Sequence, residues 1–117
     1  MGDEAATQEA FDSAAHHVCL EVMDNRVIAN SLEPRGCYAE WDGTRLHICV
    51  NGQGVWGARS NLAKVLNLDT ENVRVTNPDV GGGFGMKAMM YPETYLCAHA
   101  AMALNRPVRW YSERTEA

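Results

Sequence analysis

The order of apolar and polar positions predicts short strands alternating with amphipathic helices. Period-two alternation predicts strands over residues 17–23, 27–29, 36–41, 45–50, 73–76 and 108–111. Helical spacing predicts helices over 3–15, 55–66 and 92–104. The turn between the third and fourth strands is Asp42-Gly43-Thr44, a strong hairpin signal because glycine tolerates the positive φ of tight turns. Pro92 suits a first helical position, and Asn67 suits a helix C-terminus.

Each predicted helix has an apolar face that should pack inward. In helix order, these faces are Ala6, Ala10, Phe11 and Ala14; then Val55, Ala58, Leu62, Val65 and Leu66; then Cys97, Ala100, Ala101 and Leu104. The order of elements predicts an α+β fold in two layers, with a mixed sheet of β-β-α-β-α-β connectivity and two helices packed on one face. A length of 117 residues favours a single domain over residues 1–117.

Composition and charge exclude several classes of function. The net charge is −5 without a basic cluster, which argues against a nucleic-acid surface. No apolar run approaches the ~18 residues of a membrane helix, and the acidic N-terminus is the opposite of a signal peptide. The four cysteines, Cys19, Cys37, Cys49 and Cys97, form no close pair and lie in apolar runs, which predicts small buried side chains and a reduced, cytoplasmic setting.

Two glycine-rich segments carry the candidate chemistry. Residues 52–57 (GQGVWG) match the G-x-G-x-x-G dinucleotide fingerprint, which makes a nucleotide-binding module one hypothesis. Two features argue against it. The preceding strand alternates, whereas a central parallel strand is apolar on both faces. Asp79, the candidate ribose-binding acid, is 27 residues beyond Gly52 (79 − 52) rather than about 20.

The second segment, residues 79–87 (DVGGGFGMK), favours a ligand lying directly against main chain. Four glycines in five positions cost conformational entropy, and they leave backbone N–H groups free to converge on polar atoms. Phe84 adds one rigid apolar wall. The alternative interpretation is a flexible surface turn with Phe84 filling the core.

The motifs PDVGGGFGMK (78–87), YPE (91–93) and RPVRW…ER (106–114) closely resemble the large subunit of molybdenum hydroxylases. That superfamily includes xanthine dehydrogenase, aldehyde oxidase and aerobic carbon monoxide dehydrogenase. Residues 2–16 and 32–43 are also similar to the start of its molybdenum-cofactor-binding region, so the resemblance covers nearly the whole chain. In purine-oxidising members a glutamate follows the loop lysine. Ala88 stands there instead, and MKAMMYPE is more similar to the carbon monoxide and aldehyde dehydrogenase branch.

The resemblance implies a cofactor-binding role for particular residues. Gln53 matches a glutamine whose amide hydrogen-bonds an oxo ligand of the molybdenum, and Gly82, Gly83, Phe84 and Gly85 match the loop beside the metal and the pterin. The cofactor implied is a molybdopterin-type molybdenum cofactor. No residue of the chain matches the family's catalytic base, and none is expected to ligate the metal.

The same resemblance implies that the chain is one part of a larger enzyme and inactive alone. Its implied partners are the remainder of the large subunit, a medium subunit that contains FAD and a small iron–sulfur subunit. An exposed apolar surface around Phe84 would favour self-association of the isolated chain. Besides the nucleotide module, a structural or interaction domain without a cofactor stays as an alternative, and its glycine loop would be sealed by neighbouring side chains.

Overall fold

A four-stranded mixed sheet forms the centre of the molecule in a computed structural model that describes residues 2–116. The strands are β1 (Gly36–Trp41), β2 (Leu46–Val50), β3 (Val73–Thr76) and β4 (Val108–Tyr111), and the helices are α1 (Glu4–Asp12), α2 (Trp56–Leu66) and α3 (Pro92–Leu104). The order across the sheet is β3-β2-β1-β4. β1 is antiparallel to both β2 and β4, and β2 is parallel to β3. The predicted α+β fold and its β-β-α-β-α-β connectivity are confirmed.

The hairpin between β1 and β2 forms for the reason that the sequence indicates. Gly43 has φ +97°, and Asp42 Oδ1 accepts hydrogen bonds from the amides of Thr44 (2.9 Å) and Arg45 (2.7 Å). Because the turn fixes the register, Ile48 lies opposite Ala39.

One face of the sheet is covered by α2 and α3, which contact each other as well as the strands. The alternation in β2 is confirmed, since Leu46, Ile48 and Val50 are buried. The strand register places their neighbours on the same face, and the helices add small side chains. The buried core consists of Cys37, Ala39, Leu46, Ile48, Val50, Leu62, Ala63, Val73, Cys97, Ala98 and Ala101.

The predicted helix faces are correct in part. α2 buries Ala58 and Leu62 as expected, but Val65 is 62% exposed. α3 buries Ala98 beside Cys97 and Ala101, whereas Leu104 is exposed. In α2 the inner face is turned toward Ala63, which is buried, and Leu66 packs against the core, so Val65 lies to one side of it. In α3, Leu104 is the last helical residue.

Residues 3–30, the N-terminal arm, extend away from this core. α1 begins after Asp3, whose Oδ1 accepts from the Ala6 amide at 3.0 Å, but it buries none of its side chains. The strands predicted over 17–23 and 27–29 are wrong: these residues form no regular structure, and Val18, Leu20, Val22 and Ile28 are 74–92% exposed. Cys19 is also exposed rather than buried. Alternation of apolar and polar side chains alone does not make a strand, because the backbone N–H and C=O groups of the segment also need a partner strand.

The arm lengthens the molecule, whose extents are 69 × 33 × 21 Å and whose Cα radius of gyration is 21.6 Å. Within residues 2–116, no helix is both long enough and apolar enough to cross a bilayer.

The C-terminus of α2 provides a first testable prediction. Asn67 caps this helix in the left-handed region (φ 54°, ψ 47°), which asparagine adopts at lower cost than alanine. Asn67→Ala should lower the free energy of unfolding by about 1 kcal/mol, and Asn67→Gly should not lower it. Urea denaturation measures both, with exposed Asn61→Ala in the body of α2 as the control. Equal stability of Asn67→Ala and the parent would contradict the prediction.

Candidate functional site

The glycine loop, residues 81–85, begins after the segment that follows β3 and ends before α3. It has an irregular backbone with three residues in the left-handed region: Gly82 (φ 98°), Phe84 (φ 50°) and Gly85 (φ 90°). Left-handed geometry is rare for an aromatic residue, so the surrounding contacts must hold Phe84 there. Phe84 is 74% exposed, and its ring lies over Gly82.

Gln53 contacts this loop, although it is 32 residues away in sequence from Gly85. Its Oε1 accepts a hydrogen bond from the Gly85 amide at 2.9 Å. The backbone of Gly83 lies so close to the Gln53 side chain that a methyl group on Gly83 would be 2.5 Å from Oε1. The structure therefore brings together Gln53 and the glycines on both sides of Phe84, the residues that the resemblance assigns to one cofactor.

The contact with Gly85 also orients the carboxamide of Gln53. An amide N–H can donate only to the oxygen, so Nε2 is directed away from the Gly85 amide as a free donor. Within residues 2–116, Nε2 has no hydrogen-bond partner, and neither do the backbone N–H groups of Gly82, Gly83 and Phe84. Consecutive unpaired amides next to left-handed residues are a backbone arrangement that suits anionic oxygen atoms.

A cleft of about 470 Å³ opens beside Gln53. Its walls come from residues 50–54, from the N-terminal half of α2, from residues 87–91 after the glycine loop, and from Arg35, Thr94, Tyr95 and Trp110. Residues 81–85 do not line this cleft. Gln53 thus lines the cleft and bonds the glycine loop, as does Ala88, whose amide donates to the Gly85 carbonyl at 3.2 Å.

Both ends of the glycine loop are held by Glu33, a residue to which the sequence analysis gave no role. Glu33 Oε2 accepts from the Gly81 amide at 2.9 Å and from Lys87 Nζ at 2.8 Å. The Lys87 side chain is almost fully buried, at 1% exposure. Partial burial raises the pKa of Glu33, but the hydrogen bonds from Lys87 and from the Gly81 amide outweigh it and hold this pKa below its ordinary value.

Arg35 is a second residue that sequence reasoning missed. Its guanidinium lies 3.8 Å from the centre of the Tyr91 ring, in cation–π geometry, and Trp110 adds a second ring at 5.6 Å. Arg35 Nη1 and Glu93 Oε2 face each other at 3.5 Å, and neither of these buried atoms has a hydrogen-bond partner within residues 2–116. The tyrosine of the YPE motif therefore belongs to one wall of the cleft, where it packs on a positive charge.

Another polar group lies on the face of the sheet that α2 and α3 leave open. His47 bonds Glu40 through Nδ1 (2.8 Å) and Thr76 through Nε2 (2.9 Å), and the Tyr38 hydroxyl donates to Glu40 (2.8 Å). The contact with His47, followed by that with Tyr38, lowers the pKa of Glu40. Both ring nitrogens of His47 thus have hydrogen-bond partners on the sheet. No group of three or more potential ligand side chains (His, Cys, Asp or Glu) suited to a metal ion occurs among the described residues.

The geometry argues against the two alternative interpretations. Residues 52–57 do lie between parallel strands, but a methyl group on Gly57 would meet nothing within 4 Å, whereas the third glycine of a dinucleotide fingerprint is needed for close helix–strand packing. Nor is the glycine loop sealed by side chains, as the domain without a cofactor would require, because Phe84 and Gly85 are exposed.

The donor set passes a simple test of fit for a molybdopterin-type cofactor. Such a group brings anionic oxygen atoms, which need hydrogen-bond donors. The site offers a side-chain carboxamide and backbone amides, two of which belong to glycines and therefore have no side chain beside them. Gln53 Nε2 and the amides of Gly82, Gly83 and Phe84 are the groups that would hold it.

Comparison with known proteins gives consistent matches. A family model described as "Molybdopterin cofactor-binding domain" matches residues 1–117. The nicotine 6-hydroxylase large subunit of Paenarthrobacter nicotinovorans is 39% identical over 110 residues, which are 92% of this chain and 14% of that protein. The carbon monoxide dehydrogenase large chain of Hydrogenophaga pseudoflava is 36% identical over 118 residues, which are 98% of this chain and 15% of that protein.

A solved structure of a related protein has the same fold over most of this chain. Quinoline 2-oxidoreductase from Pseudomonas putida 86 superposes with a TM-score of 0.75 at 35% identity, over 92% of this chain and 14% of that one. The chain thus spans about one seventh of the length of the proteins that it matches.

Proposed function

The chain belongs to the molybdopterin cofactor-binding domain family, and from that premise we propose that it forms the part of a molybdenum-dependent oxidoreductase large subunit that holds the cofactor through Gln53 and residues 82–85. The observation that supports this role is the hydrogen bond from the Gly85 amide to Gln53 Oε1, which holds Gln53 against the glycine loop and leaves its Nε2 as a donor without a partner. The neighbouring amides of Gly82, Gly83 and Phe84 are also without partners. When bound, the cofactor supplies oxidation chemistry at a carbon centre.

The residues of this chain bind and orient, and they carry no proton-transfer step. Gln53 Nε2 would donate a hydrogen bond to an oxygen atom of the cofactor, and the amides of Gly82, Gly83 and Phe84 would stabilise negative charge on its oxygen atoms. The Phe84 ring shields the exposed side of the loop from water. Bare glycine backbone allows the ligand to approach more closely than any side chain would permit.

We assign the catalytic base and the determinants of substrate to other parts of the large subunit, so the chain by itself is inactive. Ala88 and the residues around it are similar to the carbon monoxide and aldehyde dehydrogenase branch, but the substrate itself is selected by the rest of the large subunit. The partners are the remainder of the large subunit, a medium subunit with FAD and an iron–sulfur small subunit, in the cytoplasm. The exposed Phe84 would make the isolated single domain, residues 1–117, self-associate.

The test replaces the matching segment of the Hydrogenophaga pseudoflava carbon monoxide dehydrogenase large chain with residues 1–117. We expect the assembled chimera to retain molybdenum and pterin, measured by metal analysis and by the fluorescence of the oxidised pterin. Gln53→Leu should weaken retention about tenfold, because a hydrogen bond to a charged group contributes roughly 1.5 kcal/mol. Gln8→Leu, a change of an exposed arm glutamine, is the matched control.

Two results would contradict the proposal. One is an assembled chimera that retains no cofactor, and the other is equal retention by the Gln53→Leu and Gln8→Leu variants. Turnover of carbon monoxide or an aldehyde by the isolated chain, with an artificial electron acceptor, would contradict its assignment as inactive alone.

A further inference from the structure

Glu33 links both ends of the glycine loop, although it precedes that loop by 48 residues. Its carboxylate binds the Gly81 amide at the start of the loop and Lys87 just after its end, and its own amide donates to the Gly81 carbonyl at 3.2 Å. A methyl group on Gly81 would lie 2.6 Å from Glu33 Cβ, so the two backbones are as close as glycine permits.

Lys87 carries this link onward to Gln53. Its carbonyl accepts a hydrogen bond from the Gln53 amide at 3.1 Å, while its ammonium group is buried against Glu33. Gln53 in turn accepts from Gly85. These contacts form a closed ring through Glu33, Lys87, Gln53 and the glycine loop, and the Glu33–Lys87 ion pair is its only charged link.

We propose that Glu33 is a positioning residue: through the buried Lys87 it fixes the distance between Gln53 and the glycine loop, and thereby controls how firmly the site holds its ligand. The effect of Glu33 on ligand retention rests on the proposed function, whereas its effect on the position of the glycine loop does not. Glu33 is suited to this role because it lies outside the hydrophobic core, so a change there alters the loop before it alters the sheet.

The test begins with Glu33→Gln in the full chain, read by amide hydrogen exchange. The neutral amide keeps the size of the side chain but leaves Lys87 buried without its counter-charge. We expect exchange at the amides of Gly85 and Gln53 to accelerate about tenfold, and the amides of β1 and β2 to change by less than twofold. Glu40→Gln, which removes the carboxylate that contacts His47 on the open face of the sheet, should leave Gly85 unchanged.

A second variant covers the case in which the unpaired lysine unfolds the protein. The double variant Glu33→Gln/Lys87→Met removes both charges, and replacing both members of a buried pair is tolerated better than removing one. It should recover the exchange protection of the core strands while the Gly85 amide stays fast.

A pH series separates positioning from simple structural support. The charged groups around Glu33 are Lys87 and, from the C-terminal segment, Arg114, which binds the carbonyls of Ser31 and Leu32. Lysine and arginine stay protonated in acid, so a transition below the ordinary glutamate pKa that Glu33→Gln abolishes belongs to the Glu33 carboxylate. Because the folded pKa of Glu33 is lowered, loop protection is present above the unfolded value of about 4.3 and is lost as the pH falls through the folded pKa.

The outcomes distinguish the two hypotheses. Glu33→Gln should abolish this pH dependence at Gly85. If exchange at Gly85 stays within twofold of the parent, or changes only together with every core amide, the positioning role is wrong. If loop exchange responds to Glu33 but the chimera retains its cofactor regardless of Gln53, the positioning role stands and the proposed function is wrong.

Discussion

A Gly83→Ala substitution is expected to displace the Gln53 side chain while the sheet and both of its helices stay folded. The added methyl group would lie 2.5–2.7 Å from the Oε1, Cδ and Cγ atoms of Gln53. These atoms belong to a flexible, exposed side chain, so they move at little cost in global stability, and the hydrogen bond to Gly85 is lost with them.

The consequence for binding should be large. The substitution removes the Gln53 donor from its place and also puts a methyl group between the ligand and the loop, so cofactor retention in the chimera should fall about 100-fold, which corresponds to roughly 2.7 kcal/mol. Gly57→Ala is the matched control, because a methyl group there meets nothing within 4 Å and stabilises α2. Unchanged exchange at the Gly85 amide in Gly83→Ala would show that the Gln53 contact is not displaced.

Leu62→Ala is expected to produce the largest loss of stability among single changes in α2. Leu62 is fully buried and belongs to the core between the helix and the strands, so its loss removes transfer free energy and leaves a cavity. The free energy of unfolding should fall by about 2–5 kcal/mol, measured by urea denaturation. Val65→Ala in the same helix should change it by less than about 0.5 kcal/mol, since Val65 is 62% exposed. Similar losses in the two variants would contradict the assignment of the inner face.

The parts of the fold that the sequence predicts well are those with local signals. The Asp42-Gly43 turn, the proline that begins α3 and the alternation in β2 all act over a few residues, and each leads to the element expected. Signals of this kind reflect backbone geometry, which the nearest residues decide. The N-terminal arm shows where local signals fail. Val18, Leu20 and Val22 alternate as in a strand, but a strand forms only when a second strand, distant in sequence, pairs with its backbone.

The candidate site likewise contains residues whose proximity could be predicted from the sequence and residues whose contacts could not. The unusual density of glycine around Phe84 marks the loop, and the resemblance to a known family identifies Gln53, so their proximity could be predicted. Glu33, Lys87 and Arg35 could not be, because their contacts join positions 48–58 residues apart and no spacing rule connects them. The cofactor-binding role of Gln53 and residues 82–85 stays a prediction until the chimera is measured.

The arm changes how the size of this protein must be measured. A compact chain of 117 residues has a radius of gyration of about 13 Å, whereas this molecule has 21.6 Å, because one quarter of its length projects from the sheet. In gel filtration a monomer of this shape elutes early, at the volume of a heavier sphere. Light scattering reports mass independently of shape, and it is the method by which association through Phe84 can be told apart from mere elongation.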